Sequence, residues 1–164
     1  MVIKEVKEKN SFNINKNNVS EKEQVLELAR KDIIAFGQLF MPEDFMKSTP
    51  APYHYELSDL LLDDTKKRNC IILPRGHSKS TLAKAALMYH LYFNPEGKKE
   101  FIAWVAEEQS QAIDHIKYIQ NHIEMNPALN YYFGDLQGSK WTEKEFTTSK
   151  GDRIIAKGTS QRLR

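Results

Sequence analysis

A lysine, three hydroxyls and an arginine crowd into one short run, Leu73-Pro74-Arg75-Gly76-His77-Ser78-Lys79-Ser80-Thr81. Lysine neutralises phosphate charge, and a hydroxyl beside it can reach a magnesium ion. This chemistry needs the start of a helix, where free N–H groups and the positive end of the helix dipole favour an anion. The sequence predicts such a start. Cys70 to Leu73 is apolar and β-branched enough for a buried strand, Pro74 and Gly76 break it, and Leu82 to Leu91 returns at helical spacing. Lys79, Ser80 and Thr81 then open the helix.

The usual phosphate-loop spelling is G-x-x-x-x-G-K-[ST], and here Leu73 and Ser78 stand at the two glycine positions. Only the Lys-Ser ending follows it. Ser and Thr are also ordinary helix caps, so these residues alone leave phosphate binding and simple capping both open. Cys70, the only cysteine, is expected to be a small core residue, and no disulfide or thiolate cluster can form within one chain.

The elements around the loop read in order as follows. Residues 1–19 are rich in Lys, Asn and Glu and are expected to form a flexible arm. Ser20 with Glu23 is a capping-box pattern, and Val25, Leu28, Ala29, Ile33 and Phe36 fall on one face of a helix that Gly37 ends or loosens. Phe40 to Met46, among prolines, suggests an irregular segment laid over a core. A second helix starts near Pro52 and turns Leu57, Leu60 and Leu61 inward. Its start carries Tyr53, His54 and Tyr55, which serve either as packing residues or as a stacking platform for a nucleotide base.

After the loop helix, Phe101 to Ala106 is apolar without alternation, the pattern of a strand covered on both faces, so strand, helix and strand suggest a parallel α/β unit. Glu107 to Met125 reads as a long helix with His115, Lys117 and His122 on its solvated side, closed by Asn126-Pro127. Tyr131, Tyr132, Phe133 and Trp141 flank Gly134 and Gly138 in a loop. Glu145 to Thr148 and Arg153 to Lys157 read as a hairpin.

The length of 164 residues suits one domain, taken as residues 20–164. A formal charge of +2, from 24 basic and 22 acidic side chains, neither demands nor excludes nucleic acid. Lys66, Lys67, Arg68, Lys98, Lys99, Lys140, Lys144 and Lys150 are dispersed in turns, where such residues more often solubilise than bind DNA. No run approaches the ~20 apolar residues that cross a bilayer, and no signal-peptide plan is present, so a cytoplasmic protein without a membrane partner is expected.

In order and spacing the chain resembles the amino-terminal half of the ATPase domain of a tailed-bacteriophage terminase large subunit, the motor that packages DNA. The resemblance spans residues 20 to 164 and rests on Pro52-Tyr53-His54, the Arg75-bearing loop, Trp104-Val105-Ala106 through Gln109, Gln111 and Ala112, Asn126-Pro127, Phe133-Gly134, Trp141 and the closing Gly158-Thr159-Ser160-Gln161-Arg162-Leu163-Arg164. It implies an incomplete P-loop NTPase (RecA/ASCE-like) fold of three layers, a parallel sheet with flanking helices plus a C-terminal hairpin.

The resemblance further implies ATP and Mg2+ as cofactors. Lys79 would lie on the β- and γ-phosphates and Ser80 on magnesium. Thr81 and the Gly76, His77 and Ser78 backbone would surround the phosphates, with Arg75 at the γ-phosphate and Tyr53 and His54 near the adenine. Arg164, or else Arg162, would reach a neighbouring subunit's nucleotide. The implied partners are double-stranded DNA in the complete motor, other terminase large subunits, the portal protein and the small terminase subunit, in the bacterial host cytoplasm.

The acidic Walker B strand, the coupling motif and the nuclease domain of that family do not occur in this sequence. Little hydrolysis and no nuclease activity are therefore expected of the chain alone, and a gap in the sheet and marginal stability follow from the same resemblance. A catalytically inactive terminase interaction module and a fragment of a helicase-like P-loop ATPase are the alternatives.

Overall fold

The computed structural model describes residues 20–160 apart from 64, 66, 67 and 96. The expected arm, Arg162 and Arg164 lie outside the described residues. The chain is mixed α/β, with seven helices and a four-stranded open mixed sheet among the described residues.

Helix α1 (Glu21–Arg30) opens with the expected capping box: the Glu23 N–H donates to Ser20 Oγ and the Ser20 N–H to the Glu23 carboxylate. The single helix expected here is two. Asp32 caps α2 (Ile33–Phe40), its Oδ1 accepting from the Ala35 N–H at 2.6 Å, and the chain turns between them. Gly37 lies inside α2, against the Phe45 ring of the short helix α3 (Pro42–Phe45), and does not end the helix. A Cβ there would stand 2.5 Å from ring atoms, so glycine sets how closely α2 and α3 pack.

Helix α4 (Pro52–Leu62) is tied to α2 by the Ile33 N–H, which donates to the buried Ser58 hydroxyl at 3.0 Å. Helix α5 (Lys79–Phe93) follows the loop and buries Leu82, Ala85, Met88 and Leu91 against α2, α4 and α6 (Gln109–Met125). A fully buried leucine contributes ~1.5–3 kcal/mol, so this face of α5 anchors the loop ahead of it.

The sheet runs β1-β4-β3-β2, with β1 (Phe101–Ala106) parallel to β4 (Arg153–Gly158), and β3 (Glu145–Thr148) and β2 (Gln137–Thr142) antiparallel. The expected hairpin is β3 and β4. Three expectations are corrected. Cys70 to Leu73 forms no strand: Cys70 is exposed, Ile72 is 88% exposed, and no described strand pairs with the segment. An apolar run becomes a strand only where another strand supplies its ladder bonds, and the outer edge of β1 is not brought to it.

Second, β1 is covered on one face. Trp104 stacks near His115 of α6 at 5.0 Å between ring centroids, while Phe101 and Val105, on the opposite face, are 54% and 49% exposed. Helix α6 is the helix that packs broadly on β1 and β4, so the described residues form a sheet with helices on one side instead of three layers. Third, the sheet is parallel only at β1-β4, and the segment expected as a loop supplies α7 (Pro127–Phe133) and β2. Asn126 caps α7, accepting from the Ala128 and Leu129 N–H groups, and its Nδ2 donates to the Phe40 carbonyl. No described helix is long and apolar enough to cross a membrane.

Candidate functional site

The loop ahead of α5 is built by two left-handed residues. Gly76 has φ 86°, and Ser78 has φ 55° and ψ 17°, the only positive φ of a non-glycine among the described residues. Ser78 holds the position where the usual motif has its second glycine, and it adopts the conformation that glycine favours. A left-handed residue followed by a helical one turns successive N–H groups toward one concavity. Ser78 followed by Lys79 is such a pair. The Ser78 side chain makes no capping bond, so the first-turn N–H groups of α5 receive no side-chain cap from it.

Lys79 is the first helical residue, where the dipole disfavours a cation and favours an anion. Its Nζ folds back over the loop and donates to the Leu73 carbonyl and, at 2.9 Å, to the Pro74 carbonyl. The lysine is thus held across the loop mouth by two acceptors of a kind that phosphate oxygens can replace. Ser80 is exposed and Thr81 half-buried on the first turn, and Arg75 is exposed at the loop's tip.

The start of α4 flanks this loop. The Tyr53 ring lies 5.9 Å from the His77 ring and 4.1 Å from the His54 ring, between centroids, so the aromatic residues expected near the loop are beside it. His77 Nδ1 is 3.3 Å from the Arg75 carbonyl. Tyr53 also lines a groove of about 550 Å³ between α4 and the extended segment at Cys70 to Leu73.

His54 is bonded within its own helix start. Its Nδ1 accepts from the Ala51 N–H at 3.0 Å, closing the start of α4, while Nε2 is buried without a partner among the described residues. Burial, and secondarily the charge of His77, hold its pKa below the ordinary histidine value. A buried donor left unsatisfied costs ~1–3 kcal/mol, so this nitrogen wants an acceptor. The same residue lines a cavity of about 40 Å³, with Asp44, Ser48, Ser78 and Thr81 among the other residues around it, too small for a nucleobase.

Sequence reasoning missed a polar cluster behind the loop helix. Lys84 of α5 sits 3.4 Å over the Tyr118 ring, and the Tyr118 hydroxyl donates to the Asp44 carboxylate. That hydroxyl's pKa is pushed up, by burial first and then by the bond to Asp44. His122, expected on the solvated side, is half-buried, with Nε2 3.3 Å from Glu43, and burial lowers its pKa. His115 is half-buried against Trp104, whereas Lys117 is exposed and pairs with Glu143 at 2.9 Å. The i, i+3 and i, i+4 spacing of His115, Tyr118 and His122 was the signal available, because it places them on one helix face.

No protein-family model matches the chain, and no characterised protein matches its sequence. Among the described residues no group of three or more His, Cys, Asp or Glu is placed to hold a metal ion.

Proposed function

We propose that this chain is the ATP-binding portion of a viral DNA-packaging motor of the terminase large-subunit kind, with a P-loop at Leu73 to Thr81. The observation that carries the reading is Ser78 in the left-handed conformation with Lys79 folded over the loop at the start of α5. A backbone of this kind suits a phosphate cradle and supports the reading without the second glycine of the usual motif.

In this reading Lys79 exchanges its two carbonyls for β- and γ-phosphate oxygens. The free first-turn N–H groups and the Gly76 to Ser78 backbone take the remaining oxygens. Magnesium fits the donor set, since it keeps several waters and needs few protein ligands beyond the phosphates, and the exposed Ser80 hydroxyl would be one of them. Arg75, exposed at the tip, is free to reach the γ-phosphate. A purine would lie on the Tyr53 side, in the groove of about 550 Å³. Bound nucleotide supplies the phosphoryl group, and the described residues bind and orient it.

Phosphate-dependent binding is the direct test. Mg-ATP is expected to bind the whole chain at least ~10-fold more tightly than adenosine, with Lys79→Ala removing most of the difference. Equal affinity of wild type and variant for Mg-ATP would overturn the reading. The motor assignment has its own test in the coding sequence after Arg164. An apolar strand ending on paired acidic residues supports it; a continuation without one favours a non-hydrolysing module.

A further inference from the structure

We propose that His54 is a positioning residue for the loop: its Nε2–H holds one water in the polar cavity between α3, α4 and the start of α5, and that water fixes the turn at Ser78. The tautomer follows from the hydrogen bonds. Nδ1 accepts from the Ala51 N–H, so in the neutral ring the proton is on Nε2, which is buried and has no acceptor among the described residues. The cavity that His54 helps to line, about 40 Å³, has room for one water or at most two.

Its polar walls come from three elements, Asp44 and Ser48 at and after α3, His54 on α4, and Ser78 and Thr81 at α5. A water accepting from His54 Nε2–H has two protons to give. One goes to the Asp44 carboxylate, which the Tyr118 hydroxyl already anchors, and one to the Ser78 hydroxyl. Ser78 has no capping bond of its own and sits in a disfavoured backbone conformation, so a bridge at this point is well placed to hold it. The water thereby joins the helix before the loop to the loop itself. The proposal uses the phosphate-loop reading only for its consequence, because a fixed Ser78 is what presents the first-turn N–H groups to an anion.

The test uses the full chain without nucleotide. Nitrogen-15 spectra at neutral pH should show His54 as the Nε2–H tautomer, with magnetisation transfer from that proton to a bound water. The Leu82 N–H donates to the Ser78 carbonyl at 2.9 Å and reports on the turn. His54→Met should speed Leu82 amide exchange ~10-fold, whereas His54→Gln, which keeps a cap acceptor and an N–H donor, should stay within ~3-fold of wild type. Amides of Ile116 and Ile119 in α6 should stay unchanged in both, excluding global loosening. An Nδ1–H tautomer, no transfer to water, unchanged Leu82 exchange in His54→Met, or His54→Gln as damaging as His54→Met would each overturn the proposal. None of these readouts needs nucleotide, so failure of nucleotide binding and failure of the water site are told apart.

Discussion

The two ends of α5 each receive a lysine, and the lysines do opposite things. At the C-terminal end Lys150, from the β3-β4 turn, donates to the carbonyls of Leu91, Tyr92 and Asn94 at 3.1, 2.8 and 3.2 Å. These are acceptors the helix leaves open, at the end where its dipole favours a cation. The turn around it is equally closed. Fully buried Asp152 accepts from the Glu100 N–H, the Asn94 side chain and the Thr148 hydroxyl.

At the N-terminal end Lys79 sits where the dipole opposes it, held by carbonyls of an exposed loop. A cation kept where the helix disfavours it is suited to be drawn toward an incoming anion. Lys150 is a clasp of the fold, and Lys79, in the function proposed above, would be a clasp that a phosphate ligand opens.

That contrast can be broken or sharpened at four positions. The largest stability effect is expected at the closed end. Lys150→Met leaves three carbonyls without their charged donor, and chemical denaturation should show a loss of ~2–4 kcal/mol. A loss under ~0.5 kcal/mol would make Lys150 a surface residue after all.

Gly37→Ala follows. Its Cβ would meet the Phe45 ring at 2.5 Å, and overpacking of this sort costs ~1–3 kcal/mol. The effect should reach the open end, because Phe45 and Asp44 both line the small cavity beside Ser78.

Ser78→Gly is expected to do the reverse, raising stability by ~0.5 kcal/mol as the left-handed strain is relieved net of the lost hydroxyl. A clear destabilisation would mean that the hydroxyl contributes more than the strain costs.

The smallest effect is a pH dependence on the sheet. The Glu145 carboxyl is held below the ordinary glutamate value by hydrogen bonds from Arg153 and then Lys140. A depressed carboxylate pKa adds stability that is present above the unfolded value and lost as pH falls through the folded one. Solvent reaches both cations, so Glu145→Gln should flatten the stability profile below about pH 4.5 by less than ~0.5 kcal/mol. An unchanged profile would remove Glu145 from the acid response.

What the sequence made legible divides along similar lines. Helix α6, β1 and the β3-β4 hairpin were readable because their apolar periodicity is local and their partners lie within the described residues. The helix start at Lys79 was readable for the same reason. Cys70 to Leu73 was not: its composition is that of a buried strand, but strand formation depends on a neighbour that no local pattern reveals. Asn126-Pro127 was read as a stop, although an Asn followed by Pro is equally the start of a helix, and here Asn126 ends α6 and caps α7.

Strand β2 was hidden by polarity, being an end strand with mostly exposed residues. Gly138 was its one clue: a Cβ there would meet the Thr147 carbonyl at 2.5 Å, the close approach that a strand glycine often marks. At the loop, the left-handed Ser78 was signalled only by its place at the motif's second glycine, because serine as a residue type gives no sign of it. The unpartnered Nε2 of His54 was equally hidden, since only the Ala51 bond shows which nitrogen is left over.

Thermal unfolding of wild type, Lys79→Ala and Lys150→Met, each with and without Mg-ATP, tests the contrast between the two ends most directly. At ~100 times its dissociation constant a ligand adds ~2.7 kcal/mol, a shift of several degrees for a domain of this size. Wild type and Lys150→Met should both gain that shift, the latter from a lower starting temperature, while Lys79→Ala should start near wild type and gain almost nothing. An equal shift in Lys79→Ala, or no shift in wild type at millimolar Mg-ATP, would contradict the assignment of the loop as a phosphate site.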